Sequence, residues 1–136
     1  MIIHALLLTM APPTIAPATA PQITATPSGI RIETLEPGVG ARPAREGAVR
    51  VELEVRLPDG KIVDAPPEPV GLSVSALIPG MTEALLLMNR GGRYRVWIPA
   101  KLAYGKAGNA DGTVPPDSDL VFTVRLLAVG RVAKAR

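Results

Sequence analysis

The strongest constraint on the fold is an uninterrupted alternation of apolar and charged side chains over residues 49–57. The apolar positions are Val49, Val51, Leu53, Val55 and Leu57, and the charged positions between them are Arg50, Glu52, Glu54 and Arg56. Successive side chains of a β-strand point to opposite faces of the sheet. The pattern therefore predicts a strand with one face in the core and one face in water, which is typical of an antiparallel sheet.

Other segments complete an α+β plan around this strand. Residues 58–61 (Pro-Asp-Gly-Lys) predict a hairpin turn. Shorter patterned runs predict further strands at residues 29–35, 72–76, 93–98 and 120–126. Residues 82–88 lie between the turn pair Pro79-Gly80 and Gly91-Gly92, and as good helix formers they predict one short helix. About five antiparallel strands and one helix make an α+β fold, and a chain of 136 residues favours one domain.

Absent residue types exclude several kinds of chemistry. The chain has no cysteine, and its single histidine is His4. A thiolate nucleophile, a cysteine-based metal site and a Ser-His-Asp arrangement in the folded domain are therefore excluded. The net charge of +3 comes from a basic tail, residues 131–136, that follows the last acidic residue, Asp119. No basic stripe with interleaved aromatic residues is present, so nucleic acid is not an expected partner.

The first 27 residues predict a leader or a disordered tail rich in proline and alanine. They contain no Lys, Arg, Asp or Glu, and the apolar run at residues 2–10 is too short to span a bilayer. Two Ala-x-Ala patterns at residues 16–20 fit a signal-peptide cleavage site, although no basic side chain precedes the apolar run. We expect a periplasmic or secreted protein whose residues before about Thr19 are removed, with a cytoplasmic protein as the alternative.

Three motifs in fixed order point to a known family. They are I-P-G-M-T-E-A-L-L-L-M at residues 78–88, I-P-A-K-L-A-Y-G at residues 98–105 and V-P-P-D-S-D-L-V-F-T-V-R-L-L at residues 114–127. Together they resemble the FKBP-type peptidyl-prolyl cis-trans isomerases, and most of all the bacterial Mip-like branch. The resemblance covers roughly residues 28–129, with a domain expected at residues 28–130. It implies a curved antiparallel sheet of about five strands that wraps one short helix.

The resemblance also implies an activity and a set of site residues. The activity is rotation about Xaa-Pro bonds without a cofactor or metal, and the ligands are proline-containing polypeptides and macrolide inhibitors. The matching catalytic positions are Asp64, Ile78 and Tyr104, with Ile78 acting through its backbone N–H and Tyr104 through its hydroxyl. The matching substrate-binding positions are Leu53, Val63, Leu77, Met81, Val114 and Phe122. The dimerising helical extension common in the Mip-like branch has no counterpart in the short, proline-rich residues 1–30, so we expect a monomer.

Three of these positions depart from the family pattern. Leu53, Val63 and Met81 replace residues that are aromatic in the family, so the pocket is expected to stay apolar but to work with reduced efficiency. A catalytically weak chaperone or peptide-binding domain is the alternative function. A partner-binding domain that uses Trp97 is a third.

Each site residue also has a purely structural alternative. Asp64 would then cap the turn before residues 65–66, and Tyr104 would anchor its own loop. Met81 and Phe122 would be ordinary core residues.

Overall fold

The computed structural model describes residues 22–131, and within this range the chain forms seven strands and one α-helix. The strands are β1 (Gln22–Ala25), β2 (Arg31–Glu36), β3 (Gly47–Arg56), β4 (Ile62–Asp64), β5 (Val70–Ser73), β6 (Arg93–Ile98) and β7 (Leu120–Arg131). The helix is α1 (Pro79–Leu85), and short 3-10 turns cover Val74–Ala76, Ala100–Leu102 and Gly105–Ala107.

All strand pairs are antiparallel, and the sheet is organised around β3. The strand order is β1-β2-β6-β7-β3-β4, and β5 pairs with the first half of β3. The longest pairing joins β3 to β7, from Gly47 opposite Arg131 to Arg56 opposite Val121. The register of this pair shifts between Arg50 and Val51, and such bulges bend and twist a sheet. The curved antiparallel sheet with one helix confirms the predicted α+β fold class.

The alternation of residues 49–57 becomes the two faces of β3. Val49, Val51 and Val55 are buried in the core, together with the alternate residues of β6 and β7. Helix α1 lies on this inner face and buries Met81, Ala84 and Leu85. Burial of this apolar surface is the main favourable contribution to folding.

The outer face of the sheet carries charged side chains in cross-strand pairs. Arg125 contacts Glu36 at 2.9 Å and Glu52 at 3.5 Å, and the guanidinium of Arg31 lies 5.1 Å from the centre of the Trp97 ring. This stacking gives Trp97 an intramolecular partner on the wet face.

The helix begins three residues earlier and ends three residues earlier than the sequence predicts. Pro79 and Gly80 open the helix instead of forming a turn before it, because proline is well suited to the first helical position. A Cβ on Gly80 would collide with the side chain of Ile98, so glycine allows α1 to approach β6 closely. The helix ends at Leu85 because Leu87 and Met88 form i→i−3 bonds, to Ala84 and Leu85.

Two further differences concern the strands. The strand predicted at residues 72–76 lies at Val70–Ser73, and Val74–Ala76 is a 3-10 turn. The hydroxyl of Thr82 donates to the carbonyl of Val74 at 2.6 Å, and this bond ties the turn to α1. Strand β1 was not predicted, because Gln22–Ala25 lies in the part of the sequence assigned to the leader or tail and has only exposed side chains.

The remaining terminal predictions lie outside the described residues. These are the part of the predicted leader or tail (residues 1–27) that precedes Gln22 and the part of the predicted basic tail (residues 131–136) that follows Arg131, and both stay predictions. Of the helices that the structure describes, none has the length and apolar character needed to cross a bilayer.

Candidate active site

A cavity of about 630 Å³ opens between β3 and β4, the segment that leads into α1, and the loop from β6 to β7 (the β6–β7 loop, residues 99–119). Its lining residues are Leu53, Val55, Val63, Asp64, Leu72, Ala76, Leu77, Ile78, Met81, Tyr104, Asn109, Asp111, Thr113, Leu120 and Phe122. A volume of this size is in the range of small-ligand sites, and most of the lining side chains are apolar.

Some of the side chains that line the cavity also belong to the hydrophobic core. Met81 is 2% exposed and comes from the first turn of α1, whereas Phe122 is 7% exposed and comes from β7. Phe122 lies opposite Val55 on one side and Val96 on the other, so its ring is on the inner face of the sheet. Met81 and Phe122 are therefore both core residues and pocket wall.

Ile78 presents a free backbone donor at the edge of this cavity. It is the N-cap residue of α1, and its carbonyl accepts hydrogen bonds from the N–H groups of Met81 (3.0 Å) and Thr82 (3.1 Å). Its own N–H has no acceptor among residues 22–131. The N-terminal end of a helix also carries a positive partial charge. A ligand carbonyl at this point would find an unoccupied donor.

Asp64 and Tyr104 supply polar groups at the opening of the cavity. Asp64 is exposed at the end of β4, and its carboxylate accepts no hydrogen bond from the described residues. Tyr104 is 41% exposed at the start of the 3-10 turn Gly105–Ala107, and no described residue bonds to its hydroxyl. Neither side chain has the hydrogen bond that a turn cap or a loop anchor would need. Both are free to meet a ligand.

The tip of the β6–β7 loop closes one side of the cavity and is held by its own side chains. Asn109 accepts a hydrogen bond from the N–H of Val114 at 2.8 Å and donates to the hydroxyl of Thr113 at 2.6 Å. One carboxylate oxygen of Asp111 accepts from both the N–H (3.0 Å) and the hydroxyl (2.7 Å) of Thr113. The backbone N–H of Thr113, and then its hydroxyl, lower the pKa of Asp111 below its ordinary value. Asp111 is thus a fixed negative charge at neutral pH.

The structure brings together eight of the nine site residues predicted from the sequence. Leu53, Val63, Asp64, Leu77, Ile78, Met81, Tyr104 and Phe122 all line the cavity. Val114 differs, because its side chain is 1% exposed and packs in the core beneath the loop. Its N–H donates to the side-chain oxygen of Asn109, and this bond helps to fix the loop. The functional roles of all nine residues stay predictions.

Several lining residues were not predicted from the sequence. Val55 lies two residues after Leu53 on the same face of β3, and the alternation of residues 49–57 contains the signal that would have found it. Asn109, Asp111 and Thr113 lie in a polar, glycine-containing loop. Their composition indicates a turn, and only the fold shows that this turn faces the cavity.

Comparisons with known proteins agree on one family. The model for the FKBP-type peptidyl-prolyl cis-trans isomerase matches residues 40–127. The outer membrane protein MIP of Legionella longbeachae is 37% identical over 116 residues, covering 83% of this chain and 49% of that protein. The FKBP-type 22 kDa peptidyl-prolyl cis-trans isomerase of Escherichia coli K12 is 42% identical over 110 residues, covering 79% and 53%. The chain spans about half the length of these curated relatives.

The fold of this chain is also similar to that of a solved structure. The crystal structure of a peptidyl-prolyl cis-trans isomerase from Pseudomonas syringae pv. tomato superposes with a TM-score of 0.77 at 38% sequence identity. The match covers 80% of this chain and 81% of the other. Residues 40–127, which the family model matches, include every residue that lines the cavity.

Proposed function

Because this chain belongs to the FKBP-type peptidyl-prolyl cis-trans isomerase family, we propose that it accelerates rotation about Xaa-Pro bonds in polypeptide clients. The observation that carries the proposal is the apolar cavity with three unused polar groups at its edge. These groups are the Ile78 N–H, the Tyr104 hydroxyl and the Asp64 carboxylate, none of which has a partner among residues 22–131.

The physical requirement of the reaction fits such a site. The barrier to rotation, about 18–20 kcal/mol, is the loss of amide resonance as the C–N bond twists. No covalent bond to the protein is needed, so the absence of cysteine and the single His4 are no obstacle. The barrier falls if the site binds the twisted amide more tightly than the planar one.

We assign the cavity residues to that differential binding. Met81, Phe122 and their apolar neighbours hold the prolyl ring in a dry environment, where hydrogen bonds are stronger than in water. The Ile78 N–H and the Tyr104 hydroxyl donate to client carbonyl groups, and Asp64 accepts a hydrogen bond from the client. Donors that are already in place cost little reorganisation during the reaction.

One observation favours a second function for the same cavity. Leu53, Val63 and Met81 are aliphatic where the family pattern has aromatic residues, and aliphatic walls offer less contact to a twisted proline. A domain that binds client segments with little catalysis would tolerate this change.

Peptide exchange separates the two functions. The rate of cis-trans exchange in an Ala-Leu-Pro peptide is measured by NMR exchange spectroscopy with catalytic amounts of protein, and peptide affinity is measured by titration. Acceleration supports the isomerase. Binding without acceleration refutes it and favours the holding function, and absence of both refutes both.

Location and partners are proposals of the same kind. One relative is named as an outer membrane protein, which supports export to the periplasm. Intact-mass measurement of the protein from its native host tests this, because an unprocessed Met1 would contradict cleavage of a leader. Macrolide binding in the cavity and a monomeric state are tested by ligand titration and by solution mass.

A further inference from the structure

The charge at the opening of the cavity has one sign. Among the described residues that line the cavity, the charged ones are Asp64 and Asp111, and both are acidic. They come from different elements, β4 and the β6–β7 loop. Lys101 and Lys106 belong to the same loop, but neither lines the cavity.

Asp111 is the better defined of the two carboxylates. One of its oxygens is occupied by the N–H and hydroxyl of Thr113, which are in turn ordered by Asn109. Within residues 22–131 no salt bridge neutralises it. The other oxygen accepts no hydrogen bond from residues 22–131, so the carboxylate is available to a ligand that enters the cavity.

We propose that Asp111, together with Asp64, selects clients in which a lysine or arginine directly adjoins the proline. This inference rests on the isomerase function proposed above and concerns the choice of substrate at the same cavity. A client inserts its prolyl ring among Met81 and Phe122, so the residues directly before and after the proline lie at the opening. A basic side chain there is attracted by both carboxylates, and an acidic side chain is repelled.

The expected preference is modest because the opening is solvent-exposed. Exposed charge pairs change an equilibrium by about two- to fivefold, and salt weakens them over a screening length of about 8 Å at physiological ionic strength. We therefore expect the catalytic efficiency for a lysine-containing peptide to exceed that for its glutamate counterpart by about two- to fivefold or more. The ratio should fall towards one as salt is added.

The test compares matched peptides and matched variants. Peptides that differ only in Lys or Glu are prepared with that residue either just before or just after the proline, and an uncharged Leu-Pro peptide is the reference. Asp111→Asn keeps an oxygen that can accept from Thr113, so it removes the charge and keeps the loop. The control is Asp117→Asn, which removes a charge from the same loop at a residue that does not line the cavity. Asparagine tolerates the positive φ of 57° at that position.

The outcomes are distinct. The proposal expects a preference for Lys over Glu at one or both positions, reduced by at least half in Asp111→Asn and kept in Asp117→Asn. It is overturned if the wild-type ratio is close to one at both positions, if Asp111→Asn keeps the full ratio, or if Asp117→Asn lowers it equally. Failure of the Leu-Pro reference to exchange faster would refute the isomerase function instead. The charge preference would then be read from the dissociation constants of the same peptides, with the same criteria.

Discussion

The two tyrosines of the chain provide a matched pair of substitutions that separates activity from stability. Tyr104→Phe removes a hydroxyl that is exposed at the cavity and has no partner among the described residues. The hydrogen bond that we propose between this hydroxyl and the twisted amide would have a net value of roughly 0.5–1.5 kcal/mol. The catalytic efficiency should therefore fall by about two- to twelvefold. The melting temperature should not change, because no intramolecular bond is lost.

Tyr94→Phe should have the opposite effect. Tyr94 is 4% exposed, and its hydroxyl accepts a hydrogen bond from the N–H of Asn89 at 2.9 Å, just beyond the end of α1. Loss of the acceptor leaves a partly buried N–H unsatisfied, which costs about 1–3 kcal/mol. For a domain of this size, each kcal/mol lowers the melting temperature by roughly 4 °C or more.

Thermal unfolding and peptide exchange are measured on both variants, and together they test whether Tyr104 serves activity and Tyr94 serves stability. Equal loss of activity in the two variants, or a large loss of stability in Tyr104→Phe, would refute the assignment of Tyr104 to the site. The folded fraction of each variant is confirmed at the assay temperature, so that loss of activity in Tyr94→Phe is not confused with unfolding.

Three further predictions concern the cavity and its loop. Gly108→Ala should slow isomerisation, because φ at this position is +73° and a Cβ would collide with the Val114 carbonyl. Backbone strain of this kind costs about 1–3 kcal/mol. Unchanged peptide-exchange kinetics in this variant would show that the loop plays no part in the reaction. The double variant Met81→Trp, Leu53→Tyr should speed isomerisation, because both side chains line an open cavity. A folded double variant that is no faster would show that the missing aromatic side chains do not limit the rate of isomerisation. Because the pKa of Asp111 is lowered by folding, its contribution to loop order should be present above the ordinary carboxyl pKa and lost as pH falls through the lower folded value. A carboxyl NMR titration that gives Asp111 an ordinary or raised pKa would contradict this.

Elements that depend on local pattern could be predicted from the sequence. The alternation of residues 49–57 corresponds to β3, and the predicted boundaries of β6 are those of the structure. The start of α1 could not be predicted from the pattern alone. Pro79-Gly80 is equally typical of a turn, and the choice depends on the close approach of α1 to Ile98, a tertiary contact. Strand β1 has no buried face, so it lacks the periodic signal that predicts a strand.

In the candidate site too, some residues could be predicted from sequence motifs and others depend on the tertiary fold. Residues that match family motifs, such as Asp64, Ile78 and Tyr104, were found because the motifs have a fixed order. The lining residue Asp111 was not predicted from the sequence. Its position at the cavity depends on the conformation of the β6–β7 loop, in which the N–H of Val114 bonds to Asn109. Val114 also matches a motif position, but it belongs to the buried core and does not line the cavity.

If the proposed isomerisation takes place in this cavity, a variant that blocks the cavity should abolish most of it. Ala76 lines the cavity yet is exposed, so Ala76→Trp should fill part of the space without disturbing the core. NMR exchange rates of the Ala-Leu-Pro peptide are measured with wild type and with Ala76→Trp at equal catalytic concentrations, after thermal unfolding shows that both are folded. We predict acceleration by wild type and a loss of most of it in Ala76→Trp. No acceleration by wild type, or equal acceleration by the two proteins, would contradict the account.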